Sequence, residues 1–154
     1  MTRPEHLAAL QLLKKERPPD EPLRTLCHHG YLVGGLSIAL DVKIDEALGP
    51  LLALMGGPAR TMKVLDIQGR VFSVKLGAVQ HEWDLDGLES LIDTLNRAFA
   101  GWADVSALVL LGEWEDMLQV WALPRPTVTA LRVHDWFRPV NEPGLRVALG
   151  HLVP

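Results

Sequence analysis

In Val71-Phe72-Ser73-Val74-Lys75-Leu76, three apolar side chains alternate with Ser73 and Lys75, the period of two that a half-buried strand requires. The run Met62 to Ile67 precedes it, joined through Gln68-Gly69-Arg70, where Gly69 can take positive φ. The pattern predicts an antiparallel hairpin. Periodicity then changes: Leu85, Leu88, Leu91, Ile92, Leu95 and Phe99 recur at helical spacing, with Asp86, Glu89, Ser90, Asp93, Asn96 and Arg97 on the opposite side. Asp86 with Glu89 three residues on resembles a capping box, Asp84 is an alternative cap, and Gly101 is the expected stop.

The same order of hairpin and helix occurs upstream. Leu36, Ile38, Leu40 and Val42 alternate with Ser37, Ala39 and Asp41, and Gly34-Gly35 separates them from Tyr31-Leu32-Val33. A helix from about Asp45 to Met55 follows, closed by Gly56-Gly57-Pro58. Pro50 belongs in its first turn on this reading, because further in it removes a hydrogen bond and clashes. Downstream, Ala107 to Leu111 is a continuous apolar run of the kind found in a strand covered on both faces. Residues Gly112 to Asp116 form the expected turn into a strand from Met117 to Leu123, which Pro124 closes. Thr127 to Phe137 fits a helix or a strand equally well, and Leu145 to Leu149 alternates as a last edge strand. The whole predicts an α+β fold: an antiparallel sheet built from successive hairpins, with helices packed on it.

The N-terminal segment stands apart. Thr2 and Glu5 form a second capping-box pattern, Leu7, Leu10 and Leu13 make a stripe, and Lys14, Lys15 and Arg17 suit the negative end of a helix dipole. Arg17-Pro18-Pro19-Asp20-Glu21-Pro22 ends that helix in an extended linker. The expected organisation is a helix and linker at 1–22 and one domain at 23–154.

Composition narrows the class. With 48% hydrophobic residues in 154, the chain has the material for a core. No apolar stretch is long enough to span a bilayer, the N-terminus is polar, and one cysteine excludes an internal disulfide, so the expected location is cytoplasmic. Residues 26–123 carry 6 Lys/Arg against 13 Asp/Glu, net −7. Such a body is a poor surface for phosphate backbones, and direct nucleic-acid binding is not expected.

Candidate chemistry is sparse. Cys27-His28-His29 is the densest group of metal-ligand types, and along a strand Cys27 and His29 share a face while His28 does not. A metal or catalytic site would need His81 or His134 brought to it by the fold. His81-Glu82-Trp83-Asp84 places an imidazole beside carboxylates, the vocabulary of an acid–base pair, although carboxylates before a helix are explained by capping. Gly34, Gly35, Gly56 and Gly57 lack the Gly-Lys-Ser/Thr of a phosphate loop, and no dinucleotide fingerprint is present. No cofactor is expected.

The aromatic residues point elsewhere. Five tryptophans stand against one tyrosine and three phenylalanines, and tryptophan is a favoured interface anchor. Trp102 and Trp121 read as core. Trp114 lies between Glu113 and Glu115, with Asp116 next, in the expected third turn; either it folds back over the sheet or it anchors a partner. Trp136-Phe137 is a second candidate anchor.

The order of helix at 2–16, strands at 31–42, helix at 45–55, strands at 62–76 and helix at 85–100 resembles the layout of YbjN-like proteins and type III secretion chaperones. The hairpin-helix-hairpin order is also similar to roadblock-type adaptor domains. These resemblances imply a small, acidic, dimeric module that binds other proteins and catalyses nothing. The leading expectation is therefore a non-enzymatic, chaperone-like adaptor or regulator acting on a basic or nucleic-acid-binding partner protein through residues 113–116 and 136–137. The alternative is a small metal-dependent enzyme or ligand-binding protein using Cys27, His29 and His81. A leucine stripe across a proline linker, together with free sheet edges, predicts a homodimer. Light scattering should give twice the 17.0 kDa chain mass at micromolar concentration; the chain mass itself would refute this.

Overall fold

The computed structural model describes residues 36–102, 104–114 and 116–133. The expected helix at 2–16, the strand at 31–33, the Cys27-His28-His29 group, His134, Trp136-Phe137 and the strand at 145–149 lie outside the described residues. Within them the chain is α+β, in two antiparallel three-stranded sheets rather than one continuous sheet. Its order is β1 (Leu36–Ala39), α1 (Ile44–Met55), a 3-10 turn (Gly57–Thr61), β2 (Lys63–Gln68), β3 (Val71–Leu76), β4 (Val79–Asp84), α2 (Leu88–Ala98), β5 (Ala107–Trp114), β6 (Met117–Leu123) and α3 (Arg125–Arg132). The first sheet runs β1-β6-β5 and the second is the meander β2-β3-β4. No helix among these residues is long and apolar enough to cross a membrane.

The meander depends on two glycines. Gly69 and Gly77 have φ of 62° and 60° and each opens a two-residue turn, joining Gln68 to Val71 and Leu76 to Val79. Positive φ at the first central position only is the II′ pattern that matches strand twist. The second turn makes β4 a strand where the carboxylates of the sequence suggest the approach to a helix. Val79, His81 and Trp83 therefore share one face while Gln80, Glu82 and Asp84 share the other. This puts His81 on the opposite strand face from Glu82 and Asp84, and no hydrogen bond or ion pair joins it to either. Asp84 instead meets Arg70 at 2.9 Å. Helix α2 starts at Leu88 with Gly87 as its cap and no side-chain cap bond, so neither the Asp86–Glu89 box nor an Asp84 cap forms.

Three other boundaries move for identifiable reasons. Strand β1 ends at Ala39 because its partner there, Met117, is the first residue of β6; beyond it Leu40 has no ladder to join. Pro50 is the seventh residue of α1 rather than a first-turn residue, since Ala47, Leu48, Leu51, Leu52 and Met55 bury one face and carry the helix past it. Strand β5 continues to Trp114, opposite Met117, so Gly112 to Trp114 are strand rather than turn, and Asp116 has φ 62°. The described part of the ambiguous stretch, 127–133, is helical as far as Arg132 in α3, which buries Thr127 and Val128; 134–137 lie outside the described residues.

One hydrophobic cluster joins the pieces. It contains Phe72, Val74 and Leu76 of β3, Leu48, Leu51 and Met55 of α1, Leu91, Ile92 and Leu95 of α2, and Ile38, Leu108 and Val120 of the first sheet. Alternation in β3 and the leucine stripe of α2 thus face the core as the sequence predicts. Phe99 stacks edge-on against Trp102, with centroids 5.0 Å apart. Ala107, Leu108, Val109 and Leu111 are buried on both faces of β5, as is Trp121 on β6.

Asn96 departs from its expected place on the polar side of α2. It is fully buried, its amide donating to the Leu108 carbonyl at 3.0 Å and accepting from the Leu108 N–H at 2.8 Å. β5 is an edge strand, and the amide satisfies the two backbone groups that a further strand would have taken. Arg125 Nη2 donates to the Asn96 backbone carbonyl at 3.0 Å, tying α3 to the same point. Asn96→Ala would leave a buried N–H and C=O unpaired, at a cost of roughly 2–4 kcal/mol. Urea unfolding should show that loss; a change below about 1 kcal/mol would mean that water takes the place of the amide.

Candidate interaction surface

Among the described residues, three of the seven exposed large apolar side chains lie on β2; Leu40, Val71, Val79 and Val133 are the others. Cross-strand pairing sets Val64 opposite Val74 and Ile67 opposite Phe72, so Val64 and Ile67 lie on the inner face. Val74 and Phe72 are buried, whereas Val64, Leu65 and Ile67 are 40%, 49% and 43% exposed. The apolar floor therefore continues outward from the middle strand and ends uncovered. Leu40, displaced from β1 where its ladder stops, adds another 46% exposed side chain.

Beside this row lies a groove of about 830 Å³ between β2, the start of α1 and the start of α2. Its apolar lining includes Leu40, Ile44, Ile67, Phe72, Leu88 and Leu118. Lys43, Asp45, Arg70, Asp86 and Glu89 also line it. Arg70 is occupied by Asp84, while Asp45, Asp86 and Glu89 form no ion pair with another described residue. Both helices begin here without a side-chain cap.

The backbone edge of β2 is closed to pairing even though its side chains are exposed. Gln68 and Val71 close the turn as a bonded pair, which directs the Ile67 N–H away from β3. Asp66 Oδ1 accepts from that N–H at 2.9 Å, and Gln68 Nε2 donates to Asp66 Oδ2 at 3.0 Å. The register also shifts at Leu65, between Val64 and Asp66. A bulge and a charged residue on an edge strand are among the devices by which sheets discourage another strand from adding.

The residues singled out by the sequence are dispersed. Glu113 and Trp114 are the last two residues of β5, opposite Leu118 and Met117; their side chains, like Glu115, are outside the described residues. Asp116 is exposed in the turn. His81 is exposed on β4, its ring 6.5 Å from that of Trp83, in a cavity of about 440 Å³ shared with Thr94 and Arg97. Among the described residues no group of three His, Cys, Asp or Glu is placed to hold a metal ion. A third cavity, about 360 Å³, lies against Trp102 and Arg125; burial lowers the pKa of Arg125, and its Nε and Nη1 lack hydrogen-bond partners.

The β2 surface is not among the residues that the sequence pattern marks as a site. Its sequence signal is the adjacent pair Val64-Leu65 followed by Asp66-Ile67, which breaks the alternation and marks the bulge. No protein family model matches the chain, and no curated protein or solved structure is significantly similar to it.

Asp66→Ala tests the closed edge. Asp66 is exposed, so stability should change by no more than about 0.5 kcal/mol, while the freed Ile67 N–H should raise concentration-dependent self-association. Static light scattering over time reads this; equal association by both proteins would show that Asp66 does not guard the edge.

Proposed function

We propose that this protein is a non-enzymatic protein-binding module, a chaperone-like adaptor or regulator, and that β2 with its adjoining groove is its principal contact surface. The observation that carries the reading is the pair of exposed apolar side chains Val64 and Ile67 on the inner face of β2, with Leu65 exposed at the bulge and with Ile67 and Leu40 lining an open groove. A single exposed apolar side chain is ordinary on a soluble surface, but a contiguous apolar group rimmed by charge is the usual anatomy of a contact site. The net −7 of residues 26–123 supports a basic protein partner and weighs against nucleic acid. The hairpin tip at Glu113, Trp114, Glu115 and Asp116 is a second contact under this proposal, with Trp136 and Phe137. Homodimerisation belongs to the same proposal, as does action inside the cell.

Asn96 and Asp66 give the module a specific character. Each satisfies backbone at a sheet edge, so partners engage through side chains rather than by extending the sheet there. A photo-crosslinking residue placed at Ile67, at Trp114 and, on the outer face of β3, at Lys75 tests this in the native cell. Ile67 should give one discrete protein adduct, and Trp114 should give the same adduct if the hairpin tip shares the interface. Absence of an adduct from Ile67, or equal yields from Ile67 and Lys75, would refute the assignment.

A further inference from the structure

The groove beside β2 has a charge pattern that specifies its occupant further. Arg70 is neutralised by Asp84 at 2.9 Å, which leaves Asp45, Asp86 and Glu89 facing the single free cation Lys43 among the described residues of its lining. The two helix starts that meet here contribute roughly +0.5 of an elementary charge each, less than the surplus of carboxylates. The rim is therefore negative around an apolar floor. Strand addition is unavailable, because Asp66 holds the outward N–H of Ile67 and the bulge at Leu65 breaks the register.

We propose that this groove takes a basic amphipathic segment of a partner protein, apolar side chains against Leu40, Ile67 and Leu88 and lysines or arginines against Asp45, Asp86 and Glu89. The proposal rests on the protein-binding reading above and adds the chemistry and docking mode of the partner. An amphipathic helix supplies both parts: one stripe of apolar residues for the floor and flanking cations for the rim. Opposite charges at the rim accelerate encounter and set orientation, while the buried apolar anchors hold the complex. A second copy of this chain fits less well, since its corresponding rim would bring carboxylates against carboxylates.

The test uses the full chain and two labelled amphipathic peptides that share leucines at helical spacing and differ in carrying either lysine or glutamate elsewhere. Fluorescence polarisation at physiological salt should show binding of the lysine peptide only. Ile67→Glu, and separately Asp86→Lys with Glu89→Lys, should each weaken it by about tenfold or more, whereas Lys75→Gln on the outer face should not. All of these side chains are exposed except the partly covered floor, and circular dichroism of each variant confirms that it folds. Equal binding by the groove variants and the parent would mean general attraction to an acidic surface and would overturn the proposal. Binding of the glutamate peptide as tightly as the lysine peptide would do the same. If neither peptide binds, the basic-segment proposal fails, and two further readings separate it from the broader one. A drop to the 17.0 kDa chain mass on Ile67→Glu would identify a second copy as the occupant and leave the protein-binding reading standing. No mass change, with no adduct from Ile67, would remove both.

Discussion

The paired hydrogen bonds from the Asn96 amide to Leu108 hold the architecture at its most vulnerable point. They lie where α2 meets the outer strand of the first sheet, among the buried apolar side chains of the core. An unmatched buried peptide group costs about 1–3 kcal/mol, so the position of α2 along β5 is set by the need to place one amide opposite one backbone unit. Arg125 then fastens α3 to the carbonyl of the same residue. Three elements from different parts of the chain thus meet at a single residue, two through its side chain and the third through its backbone carbonyl.

A related economy appears at β2. There an exposed carboxylate, rather than a buried amide, takes the outward backbone N–H, and a bulge at Leu65 breaks the register of the strand. The two edges differ in their surroundings. Around Leu108 the cover is complete and the strand is core; around Ile67 the cover stops and the side chains stay in contact with water. A protein that leaves apolar side chains exposed on a strand while closing the backbone of that strand retains a sticky surface without a template for sheet growth. This combination is the ground on which side-chain recognition is proposed for the β2 groove.

Several elements were legible because a local rule determined each. Gly69 after Gln68 announces the hairpin, alternation in Val71–Leu76 assigns the buried face, and the spacing of Leu88, Leu91, Ile92 and Leu95 assigns the stripe of α2. Strand β4 carried the same kind of signal in Gly77-Ala78 and the alternation of Val79, His81 and Trp83, but the carboxylates between them also suit a helix start. Local chemistry was there ambiguous, and pairing with β3 decided it. Asn96 illustrates the limit from the other side: at helical spacing it belongs with Asp93 and Arg97, and its burial depends on Leu108, twelve residues away.

The sequence by itself determined the β2–β3 hairpin, helices α1 and α2, the acidic body and the turns at Gly69 and Gly56, because these depend on backbone conformation and on the period of neighbouring residues. Tertiary structure alone decided that the described strands form two sheets, that β1 stops at Ala39 where its partner begins at Met117, and that Pro50 lies mid-helix on an exposed side. It also decided which apolar residues are left uncovered. Val64 and Val74 are indistinguishable as side chains and sit opposite one another; only the ending of the packed layer between β3 and β2 makes one core and the other surface.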